Sequence, residues 1–298
     1  MSDGLRFFIF GAGFSARHAA QRLIANGHQV VGTTRNKEKF DSLKAIGIEP
    51  VLFNDETTLF ELADQIVSTT HLLISIAPPR KQSDGQIDPV LAQLGDGLRD
   101  AMPDLQWVGY LSTVGVYGNH DGAWIDEETQ CKPVSQRSKN RVLAEQAWQE
   151  WCAKSEIPLA ILRLSGIYGP GRNAFRTIEA GKSRRLVKKG QVFNRIHVDD
   201  IAQAVQLAAE KKSEGVFNIT DNEPAPPQDV VTYAHDLMGR EPPPEMDFET
   251  AELSPMARSF YGENKRVSNR KSVEELGMIY RYYDYRMALK SMWFDHKW

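Results

Sequence analysis

The chain alternates short apolar runs with amphipathic stretches almost from its first residues. The apolar runs predict strands at 6–10, 29–34, 49–53, 71–77, 106–112, 159–164 and 215–220. Helical spacing between them predicts helices at 14–26, 37–45, 56–66, 89–102, 138–154 and 199–211. Strands that alternate with such helices need right-handed crossovers. The predicted fold class is therefore α/β, a doubly wound parallel sheet covered by helices on both faces.

The alternation changes after residue 164. Residues 166–172 are rich in turn-forming types, 182–189 form a basic run, and prolines punctuate the segment after residue 223. Only the helix at 199–211 and the strand at 215–220 continue the earlier pattern, and an Asp is expected to cap that helix. We predict a larger domain, 1–165 and 191–222, and a smaller, mainly helical C-terminal substrate or lid domain, 166–190 and 223–298.

The first predicted strand ends in a glycine-rich turn. Residues 11–16 read Gly-Ala-Gly-Phe-Ser-Ala, a G-x-G-x-x-A pattern that opens a predicted helix. In this pattern Gly11 permits the tight turn, Gly13 lets a pyrophosphate approach the backbone, and Ala16 lets the helix pack close to the strand. Its position at the first strand–helix junction predicts that the larger domain is a Rossmann fold that binds a dinucleotide.

The end of the second predicted strand indicates which dinucleotide is bound. NAD sites usually place an acidic side chain there to bind the ribose hydroxyls, whereas this chain has Thr33, Thr34 and Arg35. Hydroxyl and guanidinium groups suit a 2′-phosphate, which favours NADP, with NAD as the alternative. A plainer explanation of Arg35 and Lys37 is that they begin a solvated helix.

The composition of the chain limits which binding partners are expected. The 298 residues are 41% hydrophobic and 25% charged with a formal net charge of −3, so nothing favours nucleic acid or an anionic membrane surface. No apolar run approaches the roughly 20 residues that span a bilayer, and the N-terminus lacks the layout of a signal peptide. Cys131 and Cys152 have no ligand-like spacing, and no metal site is predicted. We expect a cytoplasmic protein with a small-molecule substrate, either a monomer or a homodimer formed through the long helices.

The glycine turn is the first of several motifs in a fixed order. It is followed by residues 112–118, Ser-Thr-Val-Gly-Val-Tyr-Gly, and then by the motifs at 162–171, 195–202 and 216–220. In this order they resemble the extended short-chain dehydrogenases/reductases of the NAD-dependent epimerase/dehydratase family, in the atypical branch without the active-site Tyr. The resemblance covers nearly the whole chain. It implies that the helical tail covers the nicotinamide and determines substrate specificity.

The resemblance also implies roles for individual positions. Thr113 matches the Ser/Thr that hydrogen-bonds the substrate oxygen in this family. If Glu145 is the family's helix glutamate, Arg141 stands in the position of the active-site Lys and Arg137 in that of the Tyr. The predicted catalytic residues are therefore Thr113, Arg137 and Arg141.

The assignment on the long helix has alternatives. A second register pairs Ser135 with Lys139, although it breaks the spacing to the glutamate, and the two arginines would also suit a solvated helix face. The end of the fourth predicted strand is expected to run beside the nicotinamide-side ribose. The predicted cofactor-binding residues are Gly11, Gly13, Phe14, Ser15, Thr33, Thr34, Arg35, Ser75, Ile76, Ala77 and Arg141.

Replacement of the Tyr by Arg changes the expected chemistry. An Arg stays charged at neutral pH and cannot transfer a proton, so Arg137 is expected to stabilise developing negative charge. Arg141 would hold the nicotinamide ribose, and the proton would come from water, Tyr117 or Tyr168. A cation shielded from water needs a partner, so we expect an anionic substrate bound by Arg137, assisted by Arg172 or Arg184.

Other positions depart from the family's best-known reactions. Val114 and Gly115 stand where the sugar 4,6-dehydratases have an Asp-Glu pair, and Phe193 stands where epimerases place a phosphate-binding Arg. Neither reaction is expected. The function predicted is an NADP(H)-dependent oxidoreductase that acts on a small or sugar-like, anionic carbonyl/hydroxyl substrate. The alternative is a non-catalytic NADP-binding regulatory or sensor protein.

Overall fold

A computed structural model of the chain describes residues 4–79, 87–95 and 97–298, without the side chains of 255–257. Its strands are β1 (Arg6–Phe10), β2 (Gln29–Thr34), β3 (Glu49–Leu52), β4 (His71–Ile74), β5 (Trp107–Thr113), β6 (Trp124–Ile125), β7 (Leu159–Leu164), β8 (Gly166–Tyr168), β9 (Arg185–Val187), β10 (Arg195–His197), β11 (Gly215–Ile219), β12 (Glu245–Asp247) and β13 (Arg266–Val267). Its helices are α1 (Phe14–Ala25), α2 (Phe40–Lys44), α3 (Leu59–Ile66), α4 (Pro89–Leu94), α5 (Gly97–Ala101), α6 (Gln136–Lys154), α7 (Ala174–Glu179), α8 (Val198–Glu210), α9 (Pro227–Leu237), α10 (Pro255–Phe260) and α11 (Tyr285–Phe294).

The central sheet confirms the predicted fold class. It has seven strands in the order β11-β7-β5-β4-β1-β2-β3, and every neighbouring pair in it is parallel. β1 lies between β2 and β4, where Phe7 is in register with Val30 and His71. Strands such as β1 and β7 are almost entirely apolar because helices cover both faces of the sheet.

The two faces of the sheet bury separate hydrophobic cores. On one face α1 packs against α8, and small side chains such as Ala16, Ala20 and Ala204 let the helices approach closely. The other face is covered by helices that include α3 and α6. On α6 the buried Trp148 and Trp151 make an edge-to-face contact with ring centroids 5.5 Å apart, so both belong to the core.

Two expectations about helices are wrong. The predicted helix 89–102 is divided into α4 and α5, because Gly95 adopts a φ of 55° that a continuous helix does not allow. The predicted Asp cap of α8 is wrong: the N-cap is His197, whose Nδ1 accepts from the Asp199 amide at 3.2 Å. Asp200 instead accepts from the backbone amides of Arg281 and Tyr282, which fixes the tail against the start of α8.

Short strand pairs join the later parts of the chain. β8 pairs with β10, β9 with β12, and β6 with β13. Aromatic and aliphatic side chains from the β8–α7 region, α9 and α11 form a further buried cluster that includes Phe175 and Tyr285. The division into two domains stays a prediction. Among the described residues, no helix combines the length and apolar character needed to cross a membrane.

Candidate active site

The glycine turn after β1 is held by the neighbouring strands. Gly11 has a φ of 91°, and its amide donates to Thr33 Oγ1 at 2.8 Å. The Ala12 amide donates to the Thr33 carbonyl at 2.8 Å, so one residue at the end of β2 fixes both peptides. A Cβ on Gly11 would lie 2.8 Å from Ile76 Cγ1, which makes glycine necessary there.

The start of α1 has the features of an anion site. A Cβ on Gly13 would meet nothing closer than the Gly11 carbonyl oxygen at 4.0 Å, so a ligand has room to approach the backbone. No side chain caps this helix, and its first turn contains no acid. Exposed amides at a helix N-terminus favour a phosphate group. The turn therefore fits the diphosphate of a dinucleotide.

The residues at the end of β2 divide into two groups. Thr33 is 1% exposed and its hydroxyl is used by the glycine turn, so it holds the turn in place. Thr34 Oγ1 accepts from the Asn36 amide at 3.3 Å. Arg35 is exposed and has no hydrogen bond or ion pair with the described residues, which leaves its guanidinium available to a ligand.

The end of β4 runs directly beside the glycine turn. The Ser75 amide donates to the Phe10 carbonyl at 2.9 Å, and Ile76 lies against Gly11. Ser75 and Ile76 are half-buried, and Ala77 is exposed. The structure thus brings the residues predicted from β1, β2 and β4 to one end of the sheet. Their binding roles stay predictions.

Thr113 ends β5 and begins a 3₁₀ turn, Val114–Tyr117. Its Oγ1 accepts from the Gly115 amide at 3.1 Å. A Cβ on Gly115 would lie 3.4 Å from this Oγ1 and 3.1 Å from Ser138 Oγ. Ser138 is buried and accepts a 2.9 Å hydrogen bond from Ser135, the N-cap of α6. Sequence reasoning missed Ser138 as a neighbour of Thr113, because no motif connects these two segments.

The two arginines of α6 differ in their exposure and in their contacts. Arg141 is half-buried, and its Nη1 donates to the Tyr110 hydroxyl at 2.9 Å and to the Leu111 carbonyl at 3.0 Å. It therefore reaches β5, the strand that carries Thr113. Arg137 is exposed and has no hydrogen bond or ion pair with any described residue, and Lys139 is also exposed. The catalytic roles of these residues stay predictions.

The expectation that Arg137 is shielded from water is wrong. Arg137 lies in the first turn of α6, and its side chain is exposed. A solvated guanidinium needs no counter-charge, because water already stabilises it. The inference of an anionic substrate depended on that shielding, so the position of Arg137 no longer supports it.

A buried ion pair lies behind the Thr113 turn. Glu145 on α6 receives two hydrogen bonds from Arg163 on β7, at 3.2 and 2.7 Å, and another from the Ser112 hydroxyl. The Arg163 guanidinium lies 4.8 Å from the ring centroid of Tyr117. Sequence reasoning did not single out Arg163. A charge within the apolar run of β7 was the available signal, because such a charge needs a buried partner.

Neither tyrosine that we considered as a proton source is suited to that role. Tyr117 is fully buried and donates to Asn218 Oδ1 at 2.8 Å, and burial raises its pKa to about 12. Tyr168 is also buried, and burial raises its pKa well above the ordinary range. Both phenols remain protonated and have little access to solvent. Their burial and raised pKa values do not favour either phenol as the proton source.

The segment before α8 is tied to the protein itself. Arg195 Nη1 donates to the carbonyls of Phe193 at 2.9 Å and Ala225 at 3.0 Å, and its guanidinium lies 5.8 Å from the Tyr285 ring centroid. It therefore does not replace the phosphate-binding Arg that is absent at position 193. Burial lowers the pKa of His197 to about 4, in keeping with an architectural part. Within the described chain no group of His, Cys, Asp or Glu has the arrangement of a metal site.

Comparisons with known proteins agree with this geometry. Residues 8–220 match the model of the NAD dependent epimerase/dehydratase family. A solved structure of a conserved protein of unknown function from Silicibacter pomeroyi is 45% identical, covers 98% of this chain and 99% of its own, and has a TM-score of 0.87. Protein YeeZ of Escherichia coli K12 is 28% identical over 288 residues, 93% of this chain and 96% of its own. The human epimerase family protein SDR39U1, solved with NADPH, is 18% identical, covers 98% and 100% of the two chains, and has a TM-score of 0.72.

Proposed function

The chain belongs to the NAD-dependent epimerase/dehydratase family, and on that premise we propose that it is an NADP(H)-dependent oxidoreductase acting on a small or sugar-like carbonyl/hydroxyl compound. The observation that carries the proposal is the open, uncapped start of α1 behind Gly13. The NADPH in the structure of the human family member supports the same cofactor. A bound nicotinamide dinucleotide supplies hydride transfer.

The residues of this chain would share the remaining tasks. Amides at the start of α1 bind the diphosphate, and Arg35 binds a 2′-phosphate. Thr113 orients the substrate oxygen at the end of β5. Arg141 lies beside the same strand and fixes the ribose side of the site. Arg137, exposed in the first turn of α6, provides a positive charge, and the proton is exchanged with water.

The test is a turnover assay with NADPH and a panel of aldehydes, ketones and sugar nucleotides. Substrate-dependent loss of the NADPH absorbance is the expected result, and Thr113→Val should reduce the rate by at least about tenfold while NADPH still binds. Unchanged turnover in Thr113→Val would remove Thr113 from the reaction. Failure of the wild type to bind either dinucleotide would overturn the proposal as a whole.

A second candidate is a regulatory protein that binds NADP without hydride chemistry. The observation that favours it is the exposure of Arg137 together with the burial of Tyr117 and Tyr168, since neither tyrosine is placed to take over the proton transfer of the missing Tyr. Tight NADPH binding that raises the unfolding temperature, without oxidation by any compound of the panel, would decide for this candidate.

A further inference from the structure

The turn between β8 and α7 reaches the glycine turn, although about 160 residues separate them in the sequence. Arg172 lies in this turn, and its guanidinium carbon is 5.8 Å from the ring centroid of Phe14, the first residue of α1. The side chain of Arg172 is exposed, with no hydrogen bond or ion pair to the described residues. An arginine that has no hydrogen bond or ion pair with the described residues therefore lies beside the uncapped start of α1.

The backbone of Arg172 is fixed even though its guanidinium is free. Gly169 and Arg172 exchange two backbone hydrogen bonds of 3.0 Å, and Asn173 Nδ2 donates to the Gly169 carbonyl at 2.9 Å. A Cβ on Gly169 would lie 2.6 Å from Val198 Cγ1, so this turn packs directly on the start of α8. These contacts hold the backbone of Arg172 beside the start of α1.

A helix N-terminus and an arginine that lie next to each other together favour an anion between them. The start of α1 carries the partial positive charge of the helix, and its first turn has no acid to compensate. Arg17, the nearest arginine along α1, is already engaged, because its Nε donates to the Ala12 carbonyl at 3.1 Å. Arg172 is the described guanidinium beside this turn that remains without a hydrogen-bond acceptor.

We infer that Arg172 is a ligand of the cofactor diphosphate, supplied from outside the glycine motif. This inference rests on the proposed function. It changes the sequence-based expectation, in which Arg172 would assist an anionic substrate. A planar guanidinium forms paired hydrogen bonds with phosphate oxygens, and its stacking on Phe14 orients it for that contact.

The inference separates Arg172 from Arg35 by the part of the dinucleotide that each residue binds. The diphosphate is common to NADPH, NADH and ADP-ribose, whereas the 2′-phosphate occurs in NADPH and 2′-AMP only. Arg172→Ala should weaken NADPH, NADH and ADP-ribose alike, by about tenfold or more, and leave 2′-AMP within about twofold. Arg172→Lys should retain part of the affinity, because it keeps the charge but not the paired donors.

The measurement is calorimetric titration of the full chain with each of these four compounds. The matched control is Arg176→Ala, an exposed arginine on α7 that pairs with Glu179 and should leave all four affinities unchanged. Thermal unfolding without ligand should agree among the variants within about 2 °C, since neither side chain is buried.

The outcomes distinguish failure of the proposed function from failure of the role of Arg172. If the wild type binds none of the dinucleotides, the proposed function fails. If it binds NADPH and Arg172→Ala binds equally well, only the role of Arg172 fails. A loss in Arg172→Ala that extends to 2′-AMP, or an equal loss in Arg176→Ala, would also overturn it, because the effect would then not concern the diphosphate.

Discussion

The glycine turn and the Thr113 turn lie at the same end of one sheet but are built in different ways. At the glycine turn the chemistry belongs to the backbone: a φ of 91° at Gly11 and free amides at the start of α1. At the Thr113 turn it belongs to side chains from β5, α6 and β7, held by the buried pair Glu145–Arg163. The groups that would bind a ligand at the first site come from a few consecutive residues, whereas those of the second come from separate strands and a helix.

The largest expected effect comes from a substitution that disrupts the Thr113 turn and leaves the glycine turn intact. Glu145→Ala leaves Arg163 buried without its partner, which should lower the free energy of unfolding by about 3–5 kcal/mol. Urea unfolding measures this. The matched control is Glu150→Ala on an exposed part of the same helix, which should change stability by no more than about 0.5 kcal/mol. A loss below about 1 kcal/mol in Glu145→Ala would contradict the importance of the pair.

The pH dependence of stability has opposite signs for a buried group of the sheet and for one in the segment beyond β11. Burial lowers the pKa of His71 on β4 from 6.5 to about 4. The unfolded chain then binds the extra proton as pH falls from about 6.5 to 4, so His71 makes stability fall in that window by on the order of 3 kcal/mol.

Asp221, beyond the end of β11, has the opposite sign. Burial raises its pKa from 3.8 to about 8, so the folded chain retains a proton that the unfolded chain releases. Its contribution to stability falls as pH rises from about 4 to 8. Asp221→Asn should therefore flatten the dependence of the unfolding free energy on pH between about 5 and 8. The loss of stability below about pH 4 should not change. An unchanged slope in urea unfolding between about pH 5 and 8 would disprove the flattening.

Two glycine substitutions test the different roles of Gly11 and Gly13 in the glycine turn. Gly11→Ala places a Cβ 2.8 Å from Ile76 Cγ1 at a positive φ, and should cost about 1–3 kcal/mol of stability. Gly13→Ala meets no atom closer than 4.0 Å and should change stability by about 0.5 kcal/mol at most. Its methyl group nevertheless occupies the space for the diphosphate, so NADPH affinity should fall at least about tenfold. Equal effects of the two variants on stability would refute this distinction.

The smallest expected effect concerns the choice of cofactor. Arg35→Ala removes an exposed guanidinium from the end of β2 and should abolish a preference for NADP(H) over NAD(H) of about tenfold, or about 1.4 kcal/mol. NAD(H) affinity should stay the same, because NAD(H) has no 2′-phosphate. Calorimetry on both cofactors measures the ratio. Equal affinities in the wild type would show that this end of β2 does not discriminate.

Sequence reasoning worked best where a contact is local. The bounds of β1, β2 and β7 agree with the predicted runs at 6–10, 29–34 and 159–164, because buried positions dominate each of these strands. It failed where a local pattern has more than one solution. Gly95 divides a predicted helix, and the cap of α8 is His197 rather than an Asp. In both places the local pattern allows a second conformation, and the packed chain adopts it.

The amino-acid sequence by itself determined the doubly wound sheet, the glycine turn and the absence of an acid at the end of β2, because each depends on periodicity or on neighbouring residues. Only the tertiary structure decided that Arg137 is solvated, that Arg141 reaches β5 and that Arg172 lies on Phe14. The physical reason is that a side chain's partners are set by which strands and turns meet at one end of the sheet. The cost or benefit of a charge there depends on the water it loses, which residue order does not record.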